Sequence, residues 1–253
     1  MGRVIAITGK GGTGKTALSA MLIRHLVKAG GGERVLAIDA DPDANLADSL
    51  GVEEVMTVGD MREFLQDSRL TLPPDTDKLA LLEAKIFEVL QEEDGYDLLV
   101  MGKPEGPGCY CYVNNLLKGI MERTVDQYDL IIMDTPAGLE HFSRGVMPDL
   151  DTLIVVTDAS RRGLTTGERI QELAKTLNVK YKHLFLVANK VTETNRDKIM
   201  ENAKSLGLQV IGTIPYDESL AKLDLTGEPL IDLPDDSLAV VEVRERIIKE
   251  MGL

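Results

Sequence analysis

The octamer Gly9-Lys-Gly-Gly-Thr-Gly-Lys-Thr16 constrains this chain more than any other stretch. It reads Gly-x4-Gly-Lys-Thr and stands between an apolar run, Val4–Thr8, and a helical pattern over Thr16–Ala29. A glycine-rich loop that leaves a strand and enters a helix turns successive backbone N–H groups toward phosphate oxygens. The helix N-terminus adds partial positive charge. Lys15 is expected to reach the β- and γ-phosphates and the Thr16 hydroxyl to sit on Mg2+, with Gly11, Gly12, Thr13, Gly14 and Ala17 completing the cradle. The same stretch contains Gly9-x-Gly11-x-x-Gly14, with Asp39 ending the next strand, and so also fits the dinucleotide fingerprint. That alternative is set aside because a dinucleotide site has no use for Lys15 and Thr16.

Short β-branched apolar runs bounded by Gly, Asp or Pro recur at Val4–Thr8, Val35–Asp39, Asp97–Met101, Asp129–Asp134, Thr152–Thr157, Leu184–Ala188 and Gln209–Ile214. Helical patterns fall between most of them: Thr16–Ala29, Asp60–Gln66, Leu79–Glu92, Asn114–Val125, Thr166–Leu177, Asn195–Leu206 and Asp236–Met251. Regular alternation of this kind predicts an α/β fold, a three-layer α-β-α sandwich with a mostly parallel central sheet of about seven or eight strands. With no repeat, low-complexity tract or linker, residues 1–253 are expected to form a single domain. Residues 52–95 mix turn and helix signals and are the hardest part to read.

Charge narrows the class of partner. The chain carries 28 basic and 42 acidic residues, a net charge of −14, and so repels nucleic acid and anionic lipid overall. No nucleic-acid or membrane partner is expected. No window approaches the roughly 18 consecutive apolar residues of a membrane span, and the first residues lead directly into a strand, so a cytoplasmic location is expected. Residues 1–32 contain no Asp or Glu but hold Arg3, Lys10, Lys15, Arg24 and Lys28. Such an acid-free zone suits a small, strongly anionic ligand near the N-terminus; chance around a glycine-rich loop is the plainer account.

Lys10 is a second lysine, five residues before Lys15. In this the chain resembles the deviant Walker A group of ATPases, which includes the division-site and plasmid-partition ATPases, the nitrogenase iron protein and metal-cluster chaperones. The resemblance implies a homodimer closed by ATP, with Lys10 reaching the partner's nucleotide. A lysine supplied from another subunit brings its charge only when the dimer forms.

Three acids crowd Asp39-Ala-Asp-Pro-Asp-Ala-Asn45 at the end of the second apolar run. The resemblance assigns Asp41, the aspartate before the proline, to orienting the attacking water, and Asn45 to a switch that reports the nucleotide state. Asp39 and Asp43 read more simply as turn and N-cap residues. Tyr128-Asp-Leu-Ile-Ile-Met-Asp134 is an apolar run ending in one aspartate, followed by Thr135-Pro-Ala-Gly138. That is a Walker B arrangement, with Asp134 holding the Mg2+ shell through water and Gly138 free to meet the γ-phosphate. At Ala188-Asn-Lys-Val-Thr192 a guanine-specific site would need an aspartate at position 192. Asn189 and Lys190, with Pro215 and Tyr216 of the Ile214–Asp217 loop, therefore fit ATP better than GTP.

The only two cysteines are Cys109 and Cys111, in Glu105-Gly-Pro-Gly-Cys-Tyr-Cys-Tyr112. A disulfide across one residue is strained and disfavoured in a reducing compartment. Inert buried cysteines would sit more naturally inside elements than after Gly-Pro-Gly. Two thiolates fall short of a four-coordinate metal site, but a two-fold axis would supply four. Taken in order and spacing, the phosphate loop, Asp41-Pro42, Cys109-x-Cys111, Asp134 with Ala137-Gly138, Asn189-Lys190 and Ile214-Pro215-Tyr216 resemble the CooC-type ATPases. Those are nickel-insertion accessory proteins for carbon monoxide dehydrogenase and acetyl-CoA synthase.

The resemblance spans nearly the whole chain. It implies an ATP-hydrolysing homodimer that binds Ni2+, or Zn2+ in competition, across its interface and serves a client nickel enzyme. His141 stands near the place of a cluster-ligating cysteine in the nitrogenase iron protein, a departure that argues against the same four-iron cluster. It is a candidate reporter between nucleotide and metal, or a surface histidine; His25 and His183 read as structural. Two other readings remain: a spatial-positioning ATPase of the division-site and partition kind, and an iron–sulfur electron-transfer ATPase. Against the first, Asp235–Leu253 mixes Glu242, Glu245 and Glu250 with Arg244, Arg246 and Lys249 and does not form a basic membrane helix.

Overall fold

Strand β1 (Arg3–Gly9) is buried on both sides: Val4 and Ala6 belong to one apolar layer, and Ile5 and Ile7 to the other. Side chains alternate across a strand, so a continuous apolar run can only sit in the middle of a sheet covered on both faces. The computed structural model describes residues 2–61, 88–102, 125–138, 149–177 and 179–253, and β1 lies near the centre of its eight-stranded sheet. The other strands are β2 (Val35–Asp39), β3 (Leu90–Glu93), β4 (Tyr96–Val100), β5 (Leu130–Asp134), β6 (Leu150–Asp158), β7 (Tyr181–Val191) and β8 (Val210–Pro215). Their order is β3-β4-β2-β5-β1-β6-β7-β8, parallel throughout except for the β3–β4 pair. The expected α/β class and strand number hold.

Helix α1 (Lys15–Ala29) covers one face, burying Leu18, Leu22 and Ile23 against Ile5, Ile7, Ala37 and Ile132. The C-terminal segment joins it there as α6 (Leu238–Glu242), a π-helical stretch over Val243–Ile247 and α7 (Ile248–Met251). Ala239, Val240, Val243, Ile247 and Met251 of this segment are buried, whereas Leu238 at its start is exposed. A Cβ on Gly212 of β8 would stand 2.3 Å from Ile247, so only glycine allows this close approach. On the opposite face, α3 (Arg161–Thr176) and α4 (Glu193–Ser205) bury Leu164, Ile170, Ala174, Ile199 and Ala203 against Val155, Leu186 and Ala188. Among the described residues no helix is long and apolar enough to cross a membrane.

The structure corrects the end of one element and adds others. Of the expected helix Leu79–Glu92, residues 79–87 lie outside the described residues and 88–89 are helical, but Leu90–Glu93 pairs antiparallel with Tyr96–Val100 through a turn at Gly95, whose φ is 88°. Turn chemistry outweighed the helical look of Gln91-Glu92-Glu93. Two further helices, α2 (Asn45–Leu50) and α5 (Glu218–Thr226), flank the loops after β2 and β8. Helix α3 begins at Arg161, ahead of the expected Thr166, because Ser160 caps it by accepting from Gly163 N at 3.0 Å. The expected helix at Asn114–Val125 lies outside the described residues except for Val125, which opens a 3-10 turn through Gln127.

Candidate functional site

In an open parallel sheet the loops at the strands' C-terminal ends form the crevice that takes ligands. Register brings three such ends side by side here: Ile7 of β1 pairs with Asp134 of β5, and Asp134 pairs with Asp39 of β2. Beyond Ile7 the chain enters the glycine-rich loop, where Gly12 and Gly14 have φ of 75° and 93°. Gly14 cannot be anything larger. A Cβ there would lie 2.1 Å from the Asn189 side-chain nitrogen.

That contact shows what Asn189 does. It is buried; its amide nitrogen donates to the Thr13 carbonyl at 2.9 Å, and its oxygen accepts from Lys190 N at 2.8 Å. Asn189 thus clamps the loop from the end of β7. Lys190, with φ of 56°, takes a left-handed backbone rarely adopted outside glycine. Thr13 is held a second time, its hydroxyl donating to the Lys10 carbonyl at 2.8 Å.

The Thr16 hydroxyl donates to Asp134 Oδ2 at 2.6 Å. Asp134 is buried, and its other oxygen, Oδ1, has no hydrogen-bond partner among the described residues. An orphaned buried carboxylate oxygen beside a hydroxyl at the mouth of a phosphate loop is a donor set of hard oxygens, which fits Mg2+. Burial pushes the Asp134 carboxyl up to about 6, against the opposing pull of Thr16 and Lys15. Asp39 is pushed higher, to about 7, by burial first and by the neighbouring Asp134 carboxylate second. Among the described residues no group of three His, Cys, Asp or Glu side chains is arranged to hold a metal ion by itself.

Asp39 also organises the loop that follows it. Its Oδ1 accepts from Asp41 N at 3.1 Å and its Oδ2 from Leu46 N at 2.8 Å. It therefore folds the turn and caps α2, where Ala44 sits at φ 54° and offers no side-chain cap. Asp41 is held by accepting from Asp43 N at 3.1 Å, and Asn45 opens α2. On the other side, Thr135 donates through both its backbone N and its hydroxyl to the Ile7 carbonyl. Thr8 donates to the Gly138 carbonyl at 2.9 Å, pinning the loop after β5 to the floor of the site.

These groups enclose a cavity of about 540 Å³. Gly11, Gly12, Gly14, Lys15, Thr16 and Ala17 line one wall, Asp41 and Asn45 another, and Leu220 and Leu223 of α5 a third, with Asn189 and Lys190 between. Pro215 closes β8 and Tyr216 is 58% exposed; neither lines this cavity. Lys10 is exposed and also stands outside it. Cys109, Cys111 and His141 lie outside the described residues. His183 stacks on Phe185 with ring centres 5.7 Å apart, away from the site on β7. Asp39 reads from sequence as a mere turn residue, and its pairing with Asp134 goes unseen there; its place at a strand end was the available signal.

Comparison with known proteins agrees with this geometry. Residues 4–230 match the family described as the CobQ/CobB/MinD/ParA nucleotide binding domain. An uncharacterized ATP-binding protein of Methanocaldococcus jannaschii is 48% identical over 252 residues, 98% of this chain and 99% of the relative. The carbon monoxide dehydrogenase accessory protein CooC of Rhodospirillum rubrum is 31% identical over 242 residues, 90% of this chain and 89% of that one. Among solved structures, the cell division ATPase MinD of Pyrococcus furiosus superposes with a TM-score of 0.71 at 26% identity, over 99% of this chain and 100% of that one.

Proposed function

This chain belongs to the CobQ/CobB/MinD/ParA nucleotide binding family, and we propose on that footing that it is an ATP-hydrolysing nickel chaperone. In this reading it works as a homodimer closed by ATP. Cys109 and Cys111 of both copies hold Ni2+, with Zn2+ competing, and hydrolysis releases the metal toward a client of the carbon monoxide dehydrogenase/acetyl-CoA synthase class. The observation that carries the reading is the Cys109-x-Cys111 pair in a chain 31% identical, over most of both lengths, to a protein named as a carbon monoxide dehydrogenase accessory protein.

The chain's own groups supply the ATPase half. Backbone N–H groups of Gly11–Thr16 receive the phosphate oxygens, and Lys15 meets the β- and γ-phosphates. Thr16 and, through water, Asp134 would hold Mg2+, which when bound spreads the charge of the phosphate oxygens. Asp41 keeps one carboxylate oxygen on Asp43 N and uses the other to orient water. Water attacks the γ-phosphorus, the bond to the β-phosphate oxygen breaks, and ADP and inorganic phosphate leave. Because Asp39 hydrogen-bonds both Asp41 N and Leu46 N, loss of the γ-phosphate moves the Asp41 loop and α2 as one unit.

Nickel is the cargo, and its stoichiometry tests the reading. The wild-type protein with ATP should bind one Ni2+ per two chains, and a Cys109→Ser/Cys111→Ser variant should lose that binding. Unchanged affinity in the variant overturns the proposal. Likeness to a cell division ATPase favours spatial positioning as a second reading. Its usual device is an amphipathic tail, yet the C-terminal segment here spends most of its apolar residues on the core, with Leu238 the exposed exception. ATP-dependent sedimentation with anionic vesicles or DNA would favour the positioning reading instead.

A further inference from the structure

The glycine-rich loop divides its residues between two cavities. Gly11, Gly12 and Gly14–Ala17 line the nucleotide cavity, whereas Lys10 and Thr13 line a second one of about 360 Å³ bounded by the end of β6 and the start of α3. We infer that Arg162, which lines this second cavity with Lys10, meets the triphosphate of the nucleotide held by a second copy of this chain, beside the Lys10 contact that the resemblance implies. The inference rests on the ATP-closed homodimer proposed above and adds a second residue to its contact with the partner's nucleotide.

Both cations are placed there by rigid parts of the fold. Gly9 pairs with Val156 in the β1–β6 register, and a Cβ on Gly9 would lie 2.2 Å from the Val156 carbonyl, so Lys10 emerges directly beside the end of β6. Gly163 packs as tightly: a Cβ there would lie 2.3 Å from the Thr157 hydroxyl and 2.4 Å from Asp158. The first turn of α3, which carries Arg162, is thereby pressed against the same strand end. Lys10 and Arg162 are exposed and neither makes an ion pair with a described carboxylate.

The cavity also contains Asp158, whose Oδ1 accepts from Ser160 N at 3.1 Å and from the Ser160 hydroxyl. Its ionised side chains therefore sum to +1 in a chain whose net charge is −14. The N-terminal end of the 16-residue α3 opens beside it and adds the same sign. An arginine fork grips two phosphate oxygens at once, which the ammonium of Lys10 does not do. Whatever Lys10 meets across the interface, Arg162 meets within the same cavity.

The test is sedimentation velocity with Mg-ATP on wild type, Lys10→Ala, Arg162→Ala and Arg162→Lys, beside fluorescent ATP-analogue binding at concentrations too low for dimers. Arg162→Ala should weaken ATP-dependent dimerisation by about tenfold or more while its own nucleotide affinity stays within about twofold. Arg162→Lys should recover part of the loss. A dimer that Lys10→Ala abolishes and Arg162→Ala leaves untouched overturns this proposal alone. A wild-type protein that stays monomeric with ATP, or dimerises equally well as Lys10→Ala, overturns the homodimer reading and this inference with it. Free tripolyphosphate that binds the nucleotide-free monomer through Arg162 as tightly as Mg-ATP joins two chains would reassign the cavity to a free anion and overturn the partner assignment.

Discussion

Asp39 and Asp134 occupy paired positions on adjacent parallel strands, both buried, so that two carboxyls share one end of the sheet. Each is raised by desolvation, and Asp39 is raised further by the Asp134 charge. A protein that stability alone had shaped would not keep such a pair. The arrangement makes sense as a site that a cation completes, with Asp134 Oδ1 accepting from no donor among the described residues and Asp39 holding the neighbouring loop in place.

The pair makes nucleotide-free stability depend on pH. Asp39 titrates near 7 in the folded protein against 3.8 in the unfolded chain, and Asp134 near 6 against the same 3.8. Between those values the folded state holds more protons, so stability falls as pH rises from about 4 to 7. Thermal unfolding should show Tm falling across that window in wild type. The slope should be shallower in Asp39→Asn, even though the amide can accept from only one of the two N–H groups Asp39 serves and costs about 1 kcal/mol. Mg-ATP should flatten the wild-type slope, since a cation draws protons from both carboxyls. Parallel slopes for the two proteins would remove Asp39 from this role.

Thr16 joins the loop to Asp134 through its hydroxyl, which donates to Oδ2 at 2.6 Å. Thr16→Ala removes the hydroxyl that holds Asp134 Oδ2. Calorimetric titration should find Mg-ATP binding weakened by about tenfold to a hundredfold, with Thr16→Ser near wild type. ADP binding without magnesium should change much less. Equal losses with and without magnesium would mean the hydroxyl serves the loop rather than the metal.

Away from the site, Arg24 is the most consequential charged side chain. It is 3% exposed, and its guanidinium donates at 3.1 Å to the Ile231 carbonyl, to the Leu233 carbonyl, and at 2.6 Å to Asp235. It ties α1 to the segment before α6. Arg24→Ala strands the buried Leu233 carbonyl and the part-buried Ile231 carbonyl and should cost about 2–4 kcal/mol in denaturant unfolding. Asp235→Ala should barely move the midpoint, since that carboxylate is largely exposed and solvent replaces it.

What the chain revealed before folding follows from how its information is laid out. The phosphate loop was legible because all of its chemistry lies in eight consecutive residues, each with a positional reason. The parallel strands were legible because burial on both faces leaves unbroken apolar runs such as Leu130–Met133. The Asp39–Asp134 pair was not, because strand order joins β2 to β5 and no local pattern encodes that neighbourhood. Arg162 was hidden in the same way, since it comes to line a cavity with Lys10 only through the β1–β6 register. Leu90–Glu93 misled because a half-buried edge strand rich in Gln and Glu has the composition of a helix. Asn189 was read for its place in the base pocket, whereas the folded chain brings its amide to the Thr13 carbonyl through a contact of high sequence separation.

The central claim is that nucleotide occupancy and metal ligation are coupled through the joining of two chains, and linkage makes that coupling measurable. The direct test is Ni2+ affinity by competitive chelator titration, with and without a non-hydrolysable ATP analogue, in wild type and Lys10→Ala. The account predicts that the analogue tightens nickel binding by about tenfold or more in wild type, at one metal per two chains, and has no such effect in Lys10→Ala. Nickel bound by single chains with one affinity, whatever the nucleotide, would contradict it.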